Sequence, residues 1–242
     1  MSATGNKNVI LIMGKPNSGK SHSLMSLPNP EKVAYFNTDL KELPFPSKFK
    51  LNVEISNPYQ ILDYIDQVET KGKKVETVVL DTLTFLFSMF ENQIINTADD
   101  TQKAWGAYGQ FYQTLMNKIK KGTKNYIILA HEGEKYNETE MIVDVSVPIK
   151  GATGRLGVEG DFSNILQAKT ISVTEAEKYP NDFLTITDNE REDGMKRVFV
   201  TRMTKDTLGH KIRSSFELWK REELYIDNNI NNVITHIQDY YK

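Results

Sequence analysis

Eight consecutive residues, Gly14-Lys15-Pro16-Asn17-Ser18-Gly19-Lys20-Ser21, follow the spacing G-x-x-x-x-G-K-S. Residues of these types in this order do anion chemistry. The glycines let the backbone bend until successive N–H groups point at the β- and γ-phosphates of a nucleotide. Lys20 brings a mobile positive charge to the same oxygens, and the Ser21 hydroxyl is placed to ligate Mg²⁺. His22 comes next and is grouped with the loop as a nucleotide-contacting residue. The pattern carries this meaning only where it follows a strand and opens a helix. Residues 9–13, Val-Ile-Leu-Ile-Met, form an apolar run that predicts a buried parallel strand. A helix is predicted to open near Lys20 and to stop before Pro28, and its N-terminus adds partial positive charge. Together these features imply ATP with Mg²⁺ as the bound pair.

A second chemical signal is Val78-Val79-Leu80-Asp81. A carboxylate at the carboxyl end of an apolar strand, here predicted over residues 77–80, is placed to hold Mg²⁺, usually through water. The competing reading is a cap on a helix that begins at Thr82. No other acid in the chain follows so clean an apolar run, which favours the metal role.

The elements that must position these residues alternate between strand and helix. Strands are predicted at 33–37 and 51–55, with a proline-bearing loop at 41–50 between them. A helix then starts at Pro58 and buries Ile61, Leu62, Ile65 and Val68 on one face. Residues 82–96 read as a buried helix and 104–121 as another, with Phe111, Leu115 and Ile119 at four-residue spacing; 126–130 is the next strand. Alternation of this kind predicts an α/β fold with a mostly parallel sheet covered by helices on both faces. After His131 the character changes. Residues 132–160 are polar and glycine-rich, with a short alternating run at 141–149. Residues 165–173, 183–187 and 197–203 predict extra antiparallel strands on the same sheet, and 228–241 a closing helix. One domain is expected over 1–242, with a core at about 8–215 and a tail at 216–242.

Composition narrows the function classes. The 242 residues include no cysteine, which excludes thiol catalysis, disulfides and cysteine-based zinc sites. Thirty basic against 32 acidic side chains exclude a generic polyanion binder, so any nucleic-acid contact must use a local patch. No run reaches the roughly 18 apolar residues of a membrane helix, and no secretory signal is visible. A cytoplasmic protein with no membrane partner is expected.

With both motifs placed, the chain resembles the RecA-like P-loop ATPases, and among them the compact phage ATPases of recombination and single-strand annealing. The residues that carry this are the 14–21 loop, 78–81, Trp105 with Tyr108, 127–131, the run Gly151-Ala152-Thr153-Gly154-Arg155, and Arg202-Met203-Thr204-Lys205-Asp206. The resemblance spans roughly residues 8–215. It implies an acidic base after the second strand, which falls on Asp39, where the family more often has glutamate; a turn aspartate is the alternative. It implies a polar γ-phosphate sensor at His131. Residues 132–160 would contact single-stranded DNA through Lys150, Gly151 and Arg155, although seven acids over 132–161 oppose this. Arg202 and Lys205 would reach a neighbouring subunit's ATP in trans, which implies a homo-oligomer, ring or filament. If the chain is phage-encoded, the cytoplasm is that of the bacterial host.

Three functions follow. The first is a DNA-stimulated ATPase of phage-type recombination that engages single strands and works with phage or host recombination proteins. The second is a nucleotide-gated loader or regulator acting on a protein. The third is a small-molecule kinase, which lacks the arginine-rich lid it would need, since 132–160 holds only Arg155.

Overall fold

The computed structural model describes residues 6–242. Strand β1 (Val9–Gly14) is buried along its whole length. It leads through the glycine-bearing loop into α1 (Lys20–Ser23), only four residues long, which tightens into a 3₁₀ turn over Leu24–Ser26. So short a helix sums few peptide dipoles. The anion-binding burden therefore falls on the loop amides and Lys20 more than on the helix predicted from sequence. Strands β2 (Val33–Asn37) and β3 (Leu51–Glu54) follow. Helix α2 (Gln60–Lys71) starts two residues after Pro58, because the Gln60 side chain accepts from the Ser56 and Asn57 amides and holds a preceding turn.

Strand β4 (Thr77–Asp81) ends at the second motif. The predicted 82–96 helix is observed as α3 (Leu83–Phe90) followed by a π turn over Glu91–Ile95. Its cap is Thr82, whose hydroxyl accepts from the Phe85 amide at 3.3 Å, so Asp81 is free of that duty. Helix α4 (Thr101–Lys121) and strand β5 (Asn125–His131) complete the alternating part.

The remainder departs furthest from expectation. Residues 132–160, polar and glycine-rich, hold regular elements. They form a hairpin, β6 (Gly133–Asn137) with β7 (Ile142–Ser146), and then helix α5 (Gly151–Leu156). Strand β8 (Asn164–Ser172) runs into α6 (Val173–Ala176). The strand predicted at 183–187 is absent. That segment is irregular, tied through the Phe183 carbonyl and the Thr185 amide to Asp227, and it ends in the Thr187 capping box of α7 (Asp188–Asp193). Strands β9 (Met195–Val200) and β10 (Tyr225–Asp227) precede the closing helix α8 (Ile230–Tyr240).

Eight strands form one sheet in the order β10-β9-β8-β1-β5-β4-β2-β3. The six from β8 to β3 are parallel, and β9 and β10 add antiparallel edges. The fold is thus the expected α/β class. Successive side chains of a strand face opposite sides, and β1 shows why its run is apolar throughout. Val9, Leu11 and Met13 join the core under α2, α3 and α4, while Ile10 and Ile12 join the core under α8. Ile230, Val233, Ile234 and Ile237 form the buried stripe of α8, so the tail packs on the body and covers the second face. Among the described residues no helix is long and apolar enough to cross a membrane.

Candidate functional site

Ligands of open parallel sheets sit beyond the carboxyl ends of the strands, and β1, β2, β4 and β5 here end around one cleft of about 390 Å³. Its lining includes Gly19, Lys20, Ser21, Tyr35, Asp39, Asp81, His131 and Arg197. Residues from five separated stretches of sequence therefore meet at one place.

Backbone geometry explains the two glycines of the loop. A Cβ at Gly14 would lie 2.6 Å from the Ala168 carbonyl oxygen of β8. Gly19 has φ of +93°, in the region that favours glycine, and a Cβ there would lie 2.9 Å from Arg197 Cδ. Asn17 also has positive φ, a conformation asparagine tolerates better than most residues. Lys15, Pro16, Asn17 and Ser18 form the outer turn. The Lys15 ammonium reaches away to Glu134 of the hairpin at 2.6 Å, while Ser18 Oγ is buried with no partner.

Lys20 is the loop's internal charge. Its Nζ donates to the carbonyl oxygens of Gly14 and Lys15, each at 2.8 Å. Burial lowers its pKa to about 8, against the opposing pull of Asp81 and Glu132. An ammonium so weakly compensated gains from an incoming polyanion.

Ser21 Oγ donates to Asp81 Oδ2 at 2.7 Å, so the two motifs converge on one oxygen cluster. The Tyr35 hydroxyl donates to the same oxygen at 3.0 Å. Burial raises the Asp81 pKa, and these two hydrogen bonds oppose it. Thr38 fixes the strand end, since its hydroxyl accepts from the Thr82 amide at 2.7 Å and donates to the Thr82 carbonyl at 2.8 Å. A hydroxyl beside a carboxylate is a hard oxygen set that suits Mg²⁺, an ion that takes few protein ligands and fills its other positions with water and phosphate. Consistent with so sparse a set, no cluster of three His, Asp or Glu side chains among the described residues could hold a metal.

Asp39 and His131 line the same cleft. Asp39 accepts from the Lys41 amide at 3.1 Å and lies 3.5 Å from the Lys41 ammonium. The His131 pKa is lowered by burial first, then by the charges of Lys20 and Lys41, which keeps the ring neutral at pH 7. Its Nδ1 is buried without a partner. His22 lines the cleft as well.

Other sequence candidates lie elsewhere. The Arg202 guanidinium donates to the Trp219 carbonyl at 2.5 Å and lines a different cleft, and Lys205 opens a 3₁₀ turn. Neither lines the cleft of its own chain. Lys150 is paired with Glu91 at 2.6 Å. Gly151 packs on the Trp105 ring, and Arg155 is exposed on α5. Sequence reasoning missed Tyr35, Thr38, Lys41 and Arg197. A phenol inside a buried strand needs a hydrogen-bond partner, which was a usable signal for Tyr35. Arg197 had none, because only the pairing of β9 with β8 brings it beside the loop.

The sequence model of the AAA domain family matches residues 6–211. A search of curated proteins found no match. Among solved structures, a KaiC-like protein of the hyperthermophilic archaeon Pyrococcus horikoshii OT3 aligns over 84% of this chain and 81% of its own. Its sequence identity to this chain is 13% and the TM-score 0.44, a distant similarity on which no assignment rests.

Proposed function

The chain belongs to the AAA domain family of P-loop ATPases, and on that premise we propose that it couples ATP hydrolysis to single-stranded DNA in phage-type recombination or annealing. The observation that carries the ATPase half is the 2.7 Å hydrogen bond from Ser21 to Asp81, with Lys20, Asp39 and His131 around the same cleft. Ser21 and Asp81 would hold Mg²⁺, which neutralises phosphate charge when bound. Lys20 stabilises negative charge on the β- and γ-phosphates, supplied from a buried position where it is weakly screened. Asp39 takes a proton from the attacking water as the water oxygen bonds to the γ-phosphorus and the bond to the ADP oxygen breaks. His131, kept neutral, hydrogen-bonds the γ-phosphate or that water.

The DNA half is supported by position. Hairpin β6–β7 and helix α5 follow directly from β5, whose last residue is His131, and Lys15 of the phosphate loop is paired with Glu134 of the hairpin. A DNA contact there has a short covalent and ionic route to the phosphate site. A homo-oligomer, ring or filament, would bring Arg202 and Lys205 to a neighbour's ATP.

ATP hydrolysis measured with and without single-stranded DNA, with Lys20→Ala as blank, tests both halves. Stimulation lost in the variant supports the coupled reading; hydrolysis indifferent to DNA removes the DNA half. A second reading, a nucleotide-gated regulator of a protein partner, is favoured by one observation: the Lys150 charge is already taken by Glu91. A salt-independent complex with a protein, in the absence of DNA binding at low salt, would select it.

A further inference from the structure

A second cleft, of about 580 Å³, adjoins the first and shares Asn17, His22 and Arg197 with it. It lies on the β8–β9 side of α1, bounded by Thr170 of β8, Met195 of β9 and residues 227–229 ahead of α8. Asp81 and Asp39 stand on the β2–β4 side, so a triphosphate seated on the loop with its γ end toward them directs its nucleoside end past His22 into this second cleft. Residues 227–229 lie beyond 211, where the family match ends.

Most polar groups of its wall are committed. Lys196 is held by Glu190 at 3.0 Å and Asp227 at 2.9 Å, and the Thr187 hydroxyl is used in the α7 cap. Asn228 differs. Both atoms of its amide are buried without a hydrogen-bond partner, and its Nδ2 would be 3.1 Å from a Cβ on Gly19, at the edge of the phosphate loop. Beside it lies the stem of Arg197, an exposed side chain with no hydrogen bond or ion pair among the described residues. Met25 and Met195, each 58% exposed, offer polarisable apolar surface to a flat ring.

We propose that this cleft is the nucleoside subsite and that Asn228 reads the edge of adenine, selecting ATP over GTP. The inference rests on the phosphate-site reading above. An amide carries one donor and one acceptor on adjacent atoms, which match the ring nitrogen and amino group of adenine. Guanine places a carbonyl where adenine has its amino group, so the Asn228 carbonyl would face another acceptor. Arg197 is the movable part: its guanidinium swings toward the phosphates and uncovers the amide.

Titration calorimetry of the full chain with ATP and GTP in Mg²⁺, and with inorganic tripolyphosphate, tests this. The wild type is expected to prefer ATP by about tenfold, the scale set by one such paired contact. Asn228→Ala, which removes both donor and acceptor without adding charge, is expected to erase that preference and leave tripolyphosphate affinity unchanged. Equal affinity for ATP and GTP in the wild type, or an unchanged ratio in Asn228→Ala, overturns the proposal. Should that variant fail to fold by circular dichroism, Met195→Ser at an exposed position decides. It is expected to weaken ATP severalfold and spare tripolyphosphate, and unchanged ATP affinity overturns the subsite. Tripolyphosphate binding indifferent to Lys20→Ala overturns the phosphate reading and the subsite with it, whereas intact tripolyphosphate binding without base preference overturns the subsite alone.

Discussion

The cleft at the ends of β1, β2, β4 and β5 and the β6–β7/α5 segment are both rich in polar side chains, but they use them differently. In the cleft, Lys20, Thr38, Asp81 and Thr82 are each at most 5% exposed, and each has a named hydrogen-bond partner at 2.7–3.3 Å. In the segment, Lys15–Glu134 and Lys150–Glu91 are pairs in which the lysine is open to water, and Tyr136, Met141 and Leu156 are exposed apolar side chains. Most polar groups taken out of water are matched one by one, Ser18 Oγ and His131 Nδ1 being exceptions at this site, and that matching gives a site its fixed geometry. Polar groups left in water carry no such requirement. The first region is built for chemistry that needs fixed positions, and the second is not held to one arrangement by that requirement.

The largest test removes the central charge of the cleft. Lys20→Ala is expected to reduce ATP hydrolysis on the order of a thousandfold, as loss of a preorganised electrostatic group does. Phosphate release measures it, and a residual rate near that of the wild type would break the contrast. Folding stability gives the next scale. Leu11→Ala in the central strand is expected to cost about 2–5 kcal/mol, and Val143→Ala on the hairpin less than about 0.5 kcal/mol, read from urea unfolding. Equal losses would mean that the hairpin is as much part of the core as β1.

A pH titration sharpens the electrostatic side. Burial holds the Lys20 pKa at about 8, so the group is charged below that value and loses its proton as pH rises through it. A polyanion binds the charged form. Tripolyphosphate affinity is therefore expected to be level below pH 7 and about tenfold weaker at pH 9, by calorimetry. Affinity unaffected by pH across this window would remove Lys20 from the binding step. The smallest expected effect concerns two of the segment's cations. Arg155→Ala is expected to lower the salt slope of single-stranded DNA binding by about one contact, whereas Lys150→Ala, already paired with Glu91, should leave the slope unchanged. A larger change for Lys150 would show that DNA displaces Glu91.

Much of the cleft was legible because its signals are local. The 14–21 loop needs only its own backbone torsions to face a phosphate, and Asp81 needs only to end a strand. Apolar runs determined the strands, five residues before Gly14 and three before Asp81, since a parallel strand covered on both faces cannot alternate. The irregular 183–187 segment was misread. Local propensity does not report where the tail will pack, and Asp227 binds this segment from far along the chain. The hairpin inside 132–160 was obscured by polar residues on both faces, which leave little alternation to read.

By itself, then, the sequence determined the phosphate loop, the strand-end carboxylate and the alternating α/β order, because each depends on neighbouring residues and on burial pattern. Tertiary structure decided what meets them. It set Tyr35 on Asp81, Thr38 on the Asp81–Thr82 turn, and Arg197 and Asn228 beside Gly19, while holding Arg202 on Trp219. These pairings follow from strand order, with β8 laid against β1 and β9 against β8, although some 150 residues separate β1 from β8 in the chain. Strand order is settled by which faces bury together, and no short stretch of sequence contains that information.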